Sequence, residues 1–274
     1  MPRDEPESYY IDGIRLPRTP RAGKQPAPWG DKTTIIGKRQ PRVDGYERVS
    51  GAAIYPSDVR LEGMLHGAIL RCPHPAATVK KIDTGKARAL PGVRVVLEPS
   101  SPDVEGIEWP WSRGGDAAPL LETECRFEGE AVAAVAADTP HQARDALRAI
   151  EVGWEVKPFM VELDSALRDN APGVHAGGNQ VKRETYQRGD VARGFAAADA
   201  VVSETFTTAC QLHTPLELHG CVARWDGGRL TLWDSTQGVY AVQEKVARLL
   251  GLPLSRVRVI GHYMGGGFGS KLET

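Results

Sequence analysis

The stretch RVRVIGHYMGGGFGSK at residues 256–271 joins a β-branched strand pattern to a loop in which four glycines surround one phenylalanine. Glycine adopts positive φ without a steric penalty and lets backbone N–H groups approach a ligand closely. The loop fits neither familiar phosphate motif, because Ser270 stands where both the dinucleotide fingerprint and the P-loop need a glycine. Two interpretations therefore stand: a nest of backbone donors for oxygen-rich groups, or a tight bend between packed elements.

The sequence DSTQG at residues 234–238 is a second motif, placed between a predicted strand and a predicted helix. A glutamine at such a junction, here Gln237, can present its amide donor to an acceptor near the helix N-terminus. The alternative is that Ser235 or Thr236 only caps the helix. The motif alone leaves both interpretations open.

A third segment, at residues 211–219, carries His213, Glu217 and His219, which together could suggest a metal site. Pro215 prevents the helix that would align residues four positions apart. Structural hydrogen bonding by these side chains is therefore the favoured interpretation.

The remaining pattern predicts a mixture of helices and short strands bounded by Gly or Pro. Thr139 and Pro140 mark the start of a helix, because they suit its N-cap and first helical position. A glycine-rich turn at 226–228 predicts a hairpin over 221–234. The other predicted strands lie at 65–70, 93–97, 131–136, 150–154, 201–208 and 256–260, and the predicted helices lie at 83–90, 139–150 and 239–250, the last ending before Gly251.

Charge and hydropathy exclude several classes of function. The 274 residues carry 34 lysines and arginines against 35 aspartates and glutamates, so no basic field attracts nucleic acid. The longest apolar run, residues 131–137, is far shorter than the about 20 residues that a membrane span needs. The first residues contain no apolar leader segment, and we predict a cytoplasmic protein.

The four cysteines are isolated from one another, with no CxxC and no zinc-finger spacing. Such cysteines are usually small buried hydrophobic residues. We therefore predict neither an iron–sulfur cluster nor a structural zinc on this chain.

The three segments 211–219, 235–238 and 265–271 occur in the order and approximate spacing seen in the molybdenum hydroxylases, the family of xanthine dehydrogenase and aldehyde oxidase. The resemblance extends upstream and covers about residues 36–274. The further matching segments are RVD at 42–44 before VSGAAIY at 49–55, GAILR at 67–71 with PHP at 73–75, LPGV at 90–93, and FEGE at 127–130 before the apolar residues 132–137.

The resemblance implies an α+β fold, with an α/β hammerhead domain followed by the first part of a mixed α/β molybdopterin-binding domain. We place an extended N-terminal arm at residues 1–35, the hammerhead domain at 36–158, a linker at 159–196 and the start of the molybdopterin-binding domain at 197–274. Because glycine loses much backbone entropy when it is ordered, we expect a further polypeptide or a continuation to pack on the glycine loop.

The resemblance also implies a site. In this family the glutamine that matches Gln237 faces an oxo ligand of the molybdenum, and the loop matching Gly266, Gly267, Phe268 and Gly269 borders the cofactor. Gln237 and Phe268 would lie beside the metal without ligating it, and Phe268 would exclude water. Gln237 is the catalytic residue that this chain would contribute.

The family's catalytic glutamate has no counterpart in this chain, since neither Glu217 nor Glu273 matches its position. The resemblance implies a molybdenum-containing oxidoreductase that oxidises an electron-poor carbon, with water as the oxygen source. A molybdopterin-type cofactor would be shared with a second molybdopterin-binding polypeptide or a continuation of the chain, and 2Fe-2S and commonly FAD would lie on other subunits. The alternative is a non-catalytic, truncated remnant or assembly module.

Overall fold

The computed structural model of the protein describes residues 8–11, 14–17, 33–109, 118–175, 177–180 and 184–272. The chain divides into two compact units, Met1–Ala53 and Ile54–Thr274. The first unit contains an antiparallel hairpin that the sequence analysis does not predict, inside the segment interpreted as an extended arm. The rest of that arm up to residue 32 lies outside the described residues. The elements of this unit are strands β1 Ser8–Ile11 and β2 Ile14–Pro17 and helix α1 Gly45–Ser50.

The first half of the second unit holds antiparallel strands in three sheets, ordered β3-β9-β5, β10-β4-β8 and β6-β7. A 3-10 turn precedes them at Pro56–Asp58. Their bounds, with those of the two helices among them, are β3 His66–Arg71, β4 Ala77–Asp83, α2 Gly85–Arg88, β5 Val93–Leu97, β6 Glu108–Trp109, β7 Ala118–Pro119, β8 Glu124–Cys125, β9 Ala131–Ala137, α3 Pro140–Ala149 and β10 Glu151–Val156.

Helix α3 packs on the central strand β9 through small side chains, since Ala143 and Ala146 are buried in one cluster with Ala133. The helix begins as predicted: Thr139 Oγ1 accepts a hydrogen bond from the Gln142 backbone nitrogen at 3.2 Å. The predicted strands of this region are confirmed within one or two residues. The predicted helix at 83–90 is confirmed as the shorter α2.

The cysteines divide into two groups. Cys72 and Cys125 are buried in a second small cluster with Ala77 and Val132, as isolated cysteines usually are. Cys210 and Cys221 are exposed, so the expectation of burial is wrong for these two.

Residues 157–220 contain little regular structure. The helices α4 Leu163–Ala166 and α5 Val191–Ala196 are short, and the strand predicted at 201–208 is absent. That prediction is wrong because alternating apolar and polar residues show only that a segment could place its apolar side chains on one face. A strand also needs a neighbouring strand to pair with. In this segment the side chains of Val202 and Phe206 are 83% and 89% exposed.

The C-terminal part forms one sheet of order β11-β12-β13 with helix α6 between its last two strands. The predicted hairpin is confirmed, and Gly227 and Gly228 both take positive φ in its turn. Gly251 follows α6 in the left-handed region, as a helix C-terminus favours. The elements are β11 Cys221–Asp226, β12 Arg229–Asp234, α6 Val239–Leu249, a 3-10 turn at Leu254–Arg256 and β13 Val257–Ile260.

Strands β12 and β13 run parallel, with Trp233 opposite Ile260. The residues that follow two parallel strands emerge at the same edge of a sheet. The DSTQG junction after β12 and the glycine loop after β13 therefore leave the sheet side by side. Among the described residues, none of the helices has the length and apolarity that a bilayer span requires.

Candidate functional site

The strand-to-helix junction and the glycine loop are joined through Gln237. Its backbone nitrogen donates to the Lys271 carbonyl oxygen at 2.9 Å. Its side-chain Oε1 accepts from the backbone nitrogen of Gly269 at 2.8 Å and from that of Lys271 at 3.4 Å. The amide oxygen of Gln237 is thus turned toward the loop, which leaves the amide nitrogen for another acceptor.

Several donors at this edge have no acceptor within the described part of the protein. They are Nε2 of Gln237 and the backbone N–H groups of Gly266, Gly267 and Phe268. The N–H of Gly269, in contrast, is used by Gln237. The structure brings the five predicted site residues together, and four of them offer unused donors that suit an oxygen-rich, anionic group.

Three of the loop glycines disfavour a side chain, and at Gly265 an added Cβ would lie 2.5 Å from Glu217 Cβ. A Cβ on Gly267 would lie 2.4 Å from Gln237 Oε1, although Gly267 has an ordinary negative-φ backbone. Gly266 has φ of 95°, and a Cβ there would lie 3.1 Å from Cε2 of Phe268. The contact with Gln237 therefore favours glycine at position 267, and the positive φ favours glycine at position 266.

Phe268 has an unusual backbone for a bulky residue. Its φ is 52°, a left-handed conformation that costs about 1–3 kcal/mol when a side chain is present. Its side chain is 72% exposed. Strained residues of this kind cluster at ligand sites, and Phe268 stays a predicted wall of the site.

Neither hydroxyl of the junction caps helix α6 directly, since the N-cap residue is Gly238. Ser235 Oγ donates to Glu217 Oε2 at 2.6 Å, and Thr236 Oγ1 donates to the Lys271 carbonyl oxygen at 3.2 Å. Thr236 Oγ1 also accepts from the Gly238 nitrogen at 3.0 Å. The two hydroxyl groups thus mainly connect the junction to Glu217 and to Lys271 by hydrogen bonds.

Glu217 and Lys271 form a buried ion pair below the site. Lys271 Nζ donates to Glu217 Oε2 at 3.1 Å and to the Glu217 carbonyl oxygen at 2.9 Å. Glu217 Oε2 also accepts from the Gly265 backbone nitrogen at 2.7 Å. The side chains of Lys271 and Glu217 are 0% and 9% exposed. The predicted structural hydrogen bonding is confirmed for Glu217 but not for His213 or His219, whose side chains form no hydrogen bond among the described residues.

The environment of Glu217 makes it a poor proton acceptor. Burial alone would raise the pKa of Glu217, but hydrogen bonds from Ser235, Gly265 and Lys271 outweigh burial and lower this pKa. His213 and His219 are exposed. Within the described ranges, no three His, Cys, Asp or Glu side chains are arranged to ligate a metal ion.

The sequence pattern assigns no site role to Glu217 or Lys271. The lysine at the end of the glycine loop is the one sequence signal that could have indicated this pair. A lysine that is buried there requires a carboxylate partner for its ammonium group. The pattern could not identify that partner among 35 acidic residues. Glu273, the other glutamate considered for the family's base, lies outside the described residues.

Two family models match the chain. Residues 50–158 match the aldehyde oxidase and xanthine dehydrogenase a/b hammerhead domain, and residues 174–274 match the molybdopterin cofactor-binding domain. The second match begins inside the predicted linker at 159–196. It includes the junction, the glycine loop and the ion pair.

Known proteins of this kind are similar over most of the chain. A probable xanthine dehydrogenase subunit of Bacillus subtilis is 37% identical over 85% of this chain and 31% of its own length. The nicotinate dehydrogenase large molybdopterin subunit of Eubacterium barkeri is 35% identical over 89% of this chain and 57% of its own length.

The fold agrees with these relatives. The crystal structure of quinoline 2-oxidoreductase from Pseudomonas putida 86 superposes with a TM-score of 0.80 at 32% identity, covering 88% of this chain and 32% of that one. The chain thus spans between about a third and a little over half of the length of the proteins it matches. The unused donors at the glycine loop fit the oxygen-rich cofactor of such proteins. The chain belongs to the molybdenum hydroxylase family, the family of xanthine dehydrogenase and aldehyde oxidase.

Proposed function

We propose that this chain holds one side of a molybdopterin-type molybdenum cofactor in an enzyme that oxidises an electron-poor carbon. One observation carries the proposal. The loop anchors the Gln237 amide oxygen, so that the amide nitrogen stays without a partner beside the unpartnered N–H groups of Gly266, Gly267 and Phe268 in the described part of the chain. A donor set of this kind favours cofactor binding over a non-catalytic remnant.

Each residue of the site has a defined task in this proposal. Gln237 donates its amide hydrogen to an oxygen acceptor of the cofactor, and the backbone of Gly266 and Gly267 donates alongside it. Gly269 orients Gln237 through its own N–H group. The Phe268 ring covers the site and excludes water, which strengthens these hydrogen bonds.

When bound, the cofactor supplies two-electron redox chemistry that side chains alone cannot perform. The substrate of the assembled enzyme would be a small molecule with an electron-poor carbon, such as an aldehyde, a purine or an N-heterocycle, with water as the oxygen source. Two of the similar proteins are named for N-heterocycles, nicotinate and quinoline. This supports the N-heterocycles within the proposed class.

The proposal includes a complex. The exposed apolar side chains between residues 201 and 218 and the lack of a base among the described residues of the site both favour a second molybdopterin-binding polypeptide or a continuation of the chain. We further propose an iron–sulfur subunit carrying 2Fe-2S and an FAD subunit as the route for electrons, in the cytoplasm. The domain bounds belong to this proposal as well: the arm at 1–35, the hammerhead domain at 36–158, the linker at 159–196 and the start of the molybdopterin-binding domain at 197–274.

The test of the site is Gln237→Ala in the complex isolated from its native source through an affinity tag on this chain. Loss of one hydrogen bond to a charged group costs about 1.5–3 kcal/mol, which corresponds to about ten- to hundredfold in turnover. We expect such a loss per molybdenum atom, with only a modest fall in unfolding temperature, because the variant also loses the hydrogen bonds that Gln237 Oε1 accepts from Gly269 and Lys271.

The matched control is Gln243→Ala on helix α6, which follows the junction. Gln243 Nε2 donates to the carbonyl oxygens of Leu254 and Val257 at 3.2 and 2.7 Å, so this variant loses stability rather than turnover. Full turnover in the Gln237→Ala complex would contradict the proposed function.

A further inference from the structure

We propose that Glu217 and Lys271 are positioning residues of the cofactor site. Their buried ion pair locks the strand-to-helix junction against the glycine loop, and this contact sets the direction in which the Gln237 amide points. The inference rests on the proposed function and deepens it, because it names the residues that prepare the site before the cofactor arrives.

Every polar group of Lys271 is hydrogen-bonded, the backbone groups to the junction and the ammonium group to Glu217. Its backbone nitrogen donates to Gln237 Oε1 at 3.4 Å, and its carbonyl oxygen accepts from the Gln237 nitrogen at 2.9 Å and from Thr236 Oγ1 at 3.2 Å. Its ammonium group binds Glu217. A displacement of Lys271 would therefore break the hydrogen bond to the Gln237 backbone and one of the two that Oε1 accepts, leaving Gly269 as the one described donor to the side chain.

Glu217 provides the second half of the lock. One oxygen, Oε2, accepts hydrogen bonds from Ser235 in the junction, from Gly265 at the start of the loop and from Lys271 at its end. The Glu217 backbone nitrogen also donates to the Gly265 carbonyl oxygen at 3.2 Å. A single carboxylate thus fixes the junction and both ends of the glycine loop.

Burial makes this pair different from the ion pairs on the surface. The Lys271 side chain is 0% exposed, whereas Lys80 and Glu155 pair with side chains that are 59% and 54% exposed. Water can replace a lost partner of Lys80, but it reaches the charge of Glu217 poorly when Lys271 is removed, because only 9% of that side chain is exposed. The loop must then move, and the Gln237 amide moves with it.

The experiment uses Lys271→Met in the tagged complex, with Lys80→Met as the control in which the same substitution removes an exposed pair. Hydrogen exchange of the loop peptide 261–272 is measured on protein prepared without molybdate. Molybdenum per chain is measured on protein prepared with molybdate. We expect loop exchange in Lys271→Met to accelerate and molybdenum content to fall, each about tenfold or more. Peptides from strand β9 and the Lys80→Met protein should match the wild type.

A double variant, Glu217→Gln with Lys271→Met, removes both charges and so avoids an unpaired buried charge. This double variant tests the positioning role if the Lys271→Met complex does not assemble. We expect the double variant to assemble, with fast loop exchange and depleted molybdenum. Wild-type exchange and wild-type molybdenum content in the double variant would overturn the positioning role, because the pair would then serve folding alone.

The failure of this inference can be separated from failure of the proposed function. Wild-type loop exchange in an assembled Lys271→Met complex overturns the positioning role, and this readout is independent of any cofactor. Wild-type turnover in the Gln237→Ala complex overturns the proposed function instead, and the exchange measurement is unaffected by that outcome.

Discussion

The sheet β3-β9-β5 and the site after β13 belong to one compact unit, yet they are held together by different interactions. The sheet, with helix α3 packed on it, buries apolar side chains such as Val132, Val135 and Ala146 almost completely. The site buries Ser235, Thr236 and Lys271 instead, each of which is hydrogen-bonded. One region therefore depends on packing and the other on directional polar contacts.

The difference explains why the two regions suit different tasks. Apolar burial has no preferred direction, so the sheet needs only complementary volume to form a stable platform. A hydrogen bond requires distance and angle together, so a buried polar cluster can fix the orientation of a single amide. The site region obtains that orientation at Gln237 and still leaves donors unused.

The largest effect is expected from Gly267→Val in the site. The added Cβ would lie 2.4 Å from Gln237 Oε1, and one of the two groups must move. We expect an assembled protein whose molybdenum content falls about tenfold or more. Elemental analysis per chain checks this result. Gly194→Val serves as the control, because Gly194 is exposed, has no positive φ and has no atom within 4 Å of an added Cβ. Normal molybdenum content in Gly267→Val would mean that the loop is only a bend.

In the sheet region, the corresponding change is Ala146→Leu on helix α3. Ala146 is fully buried, and overpacking of this kind costs about 1–3 kcal/mol of the free energy of unfolding. Denaturant unfolding measures the loss, with the exposed Ala192→Leu as its control. We expect molybdenum per folded chain to stay normal. A variant that lost cofactor while remaining folded would show that the two regions are not separable in this way.

The two regions also differ in how far the sequence predicts their structure. Local sequence signals predict the elements of the sheet region, whereas the site depends on contacts between distant residues. Helix α3 was predictable because Thr139 and Pro140 mark its start locally. The turn after β11 was predictable because two adjacent glycines define it. The pair of Glu217 and Lys271 was not predictable, since its members are 54 residues apart and no local pattern joins them. The strand predicted at 201–208 failed for the same reason, because pairing depends on a distant neighbour.

The smallest expected effect is a pH dependence of the stability that the Glu217 carboxylate contributes to the site. The pKa of Glu217 is lowered in the folded protein, so its contribution to stability is fully present above the ordinary glutamate pKa of about 4.3 and is lost as pH falls from there through the lower pKa of the folded state. The destabilisation caused by Glu217→Gln should therefore be larger at pH 7 than near pH 3. Burial raises the pKa of Asp234, but Asp234 titrates in both proteins and largely cancels. A destabilisation that is independent of pH would contradict the assigned charge of Glu217.

The most direct test of the central claim is the molybdenum content and the mass of the particle isolated from its native source through a tag on this chain. We predict a stoichiometric molybdenum cofactor in a particle much heavier than this chain, together with iron–sulfur protein. We also predict that the chain expressed alone carries no cofactor. A monodisperse monomer that binds molybdopterin and oxidises a substrate unaided, or a native particle without molybdenum, would contradict the account.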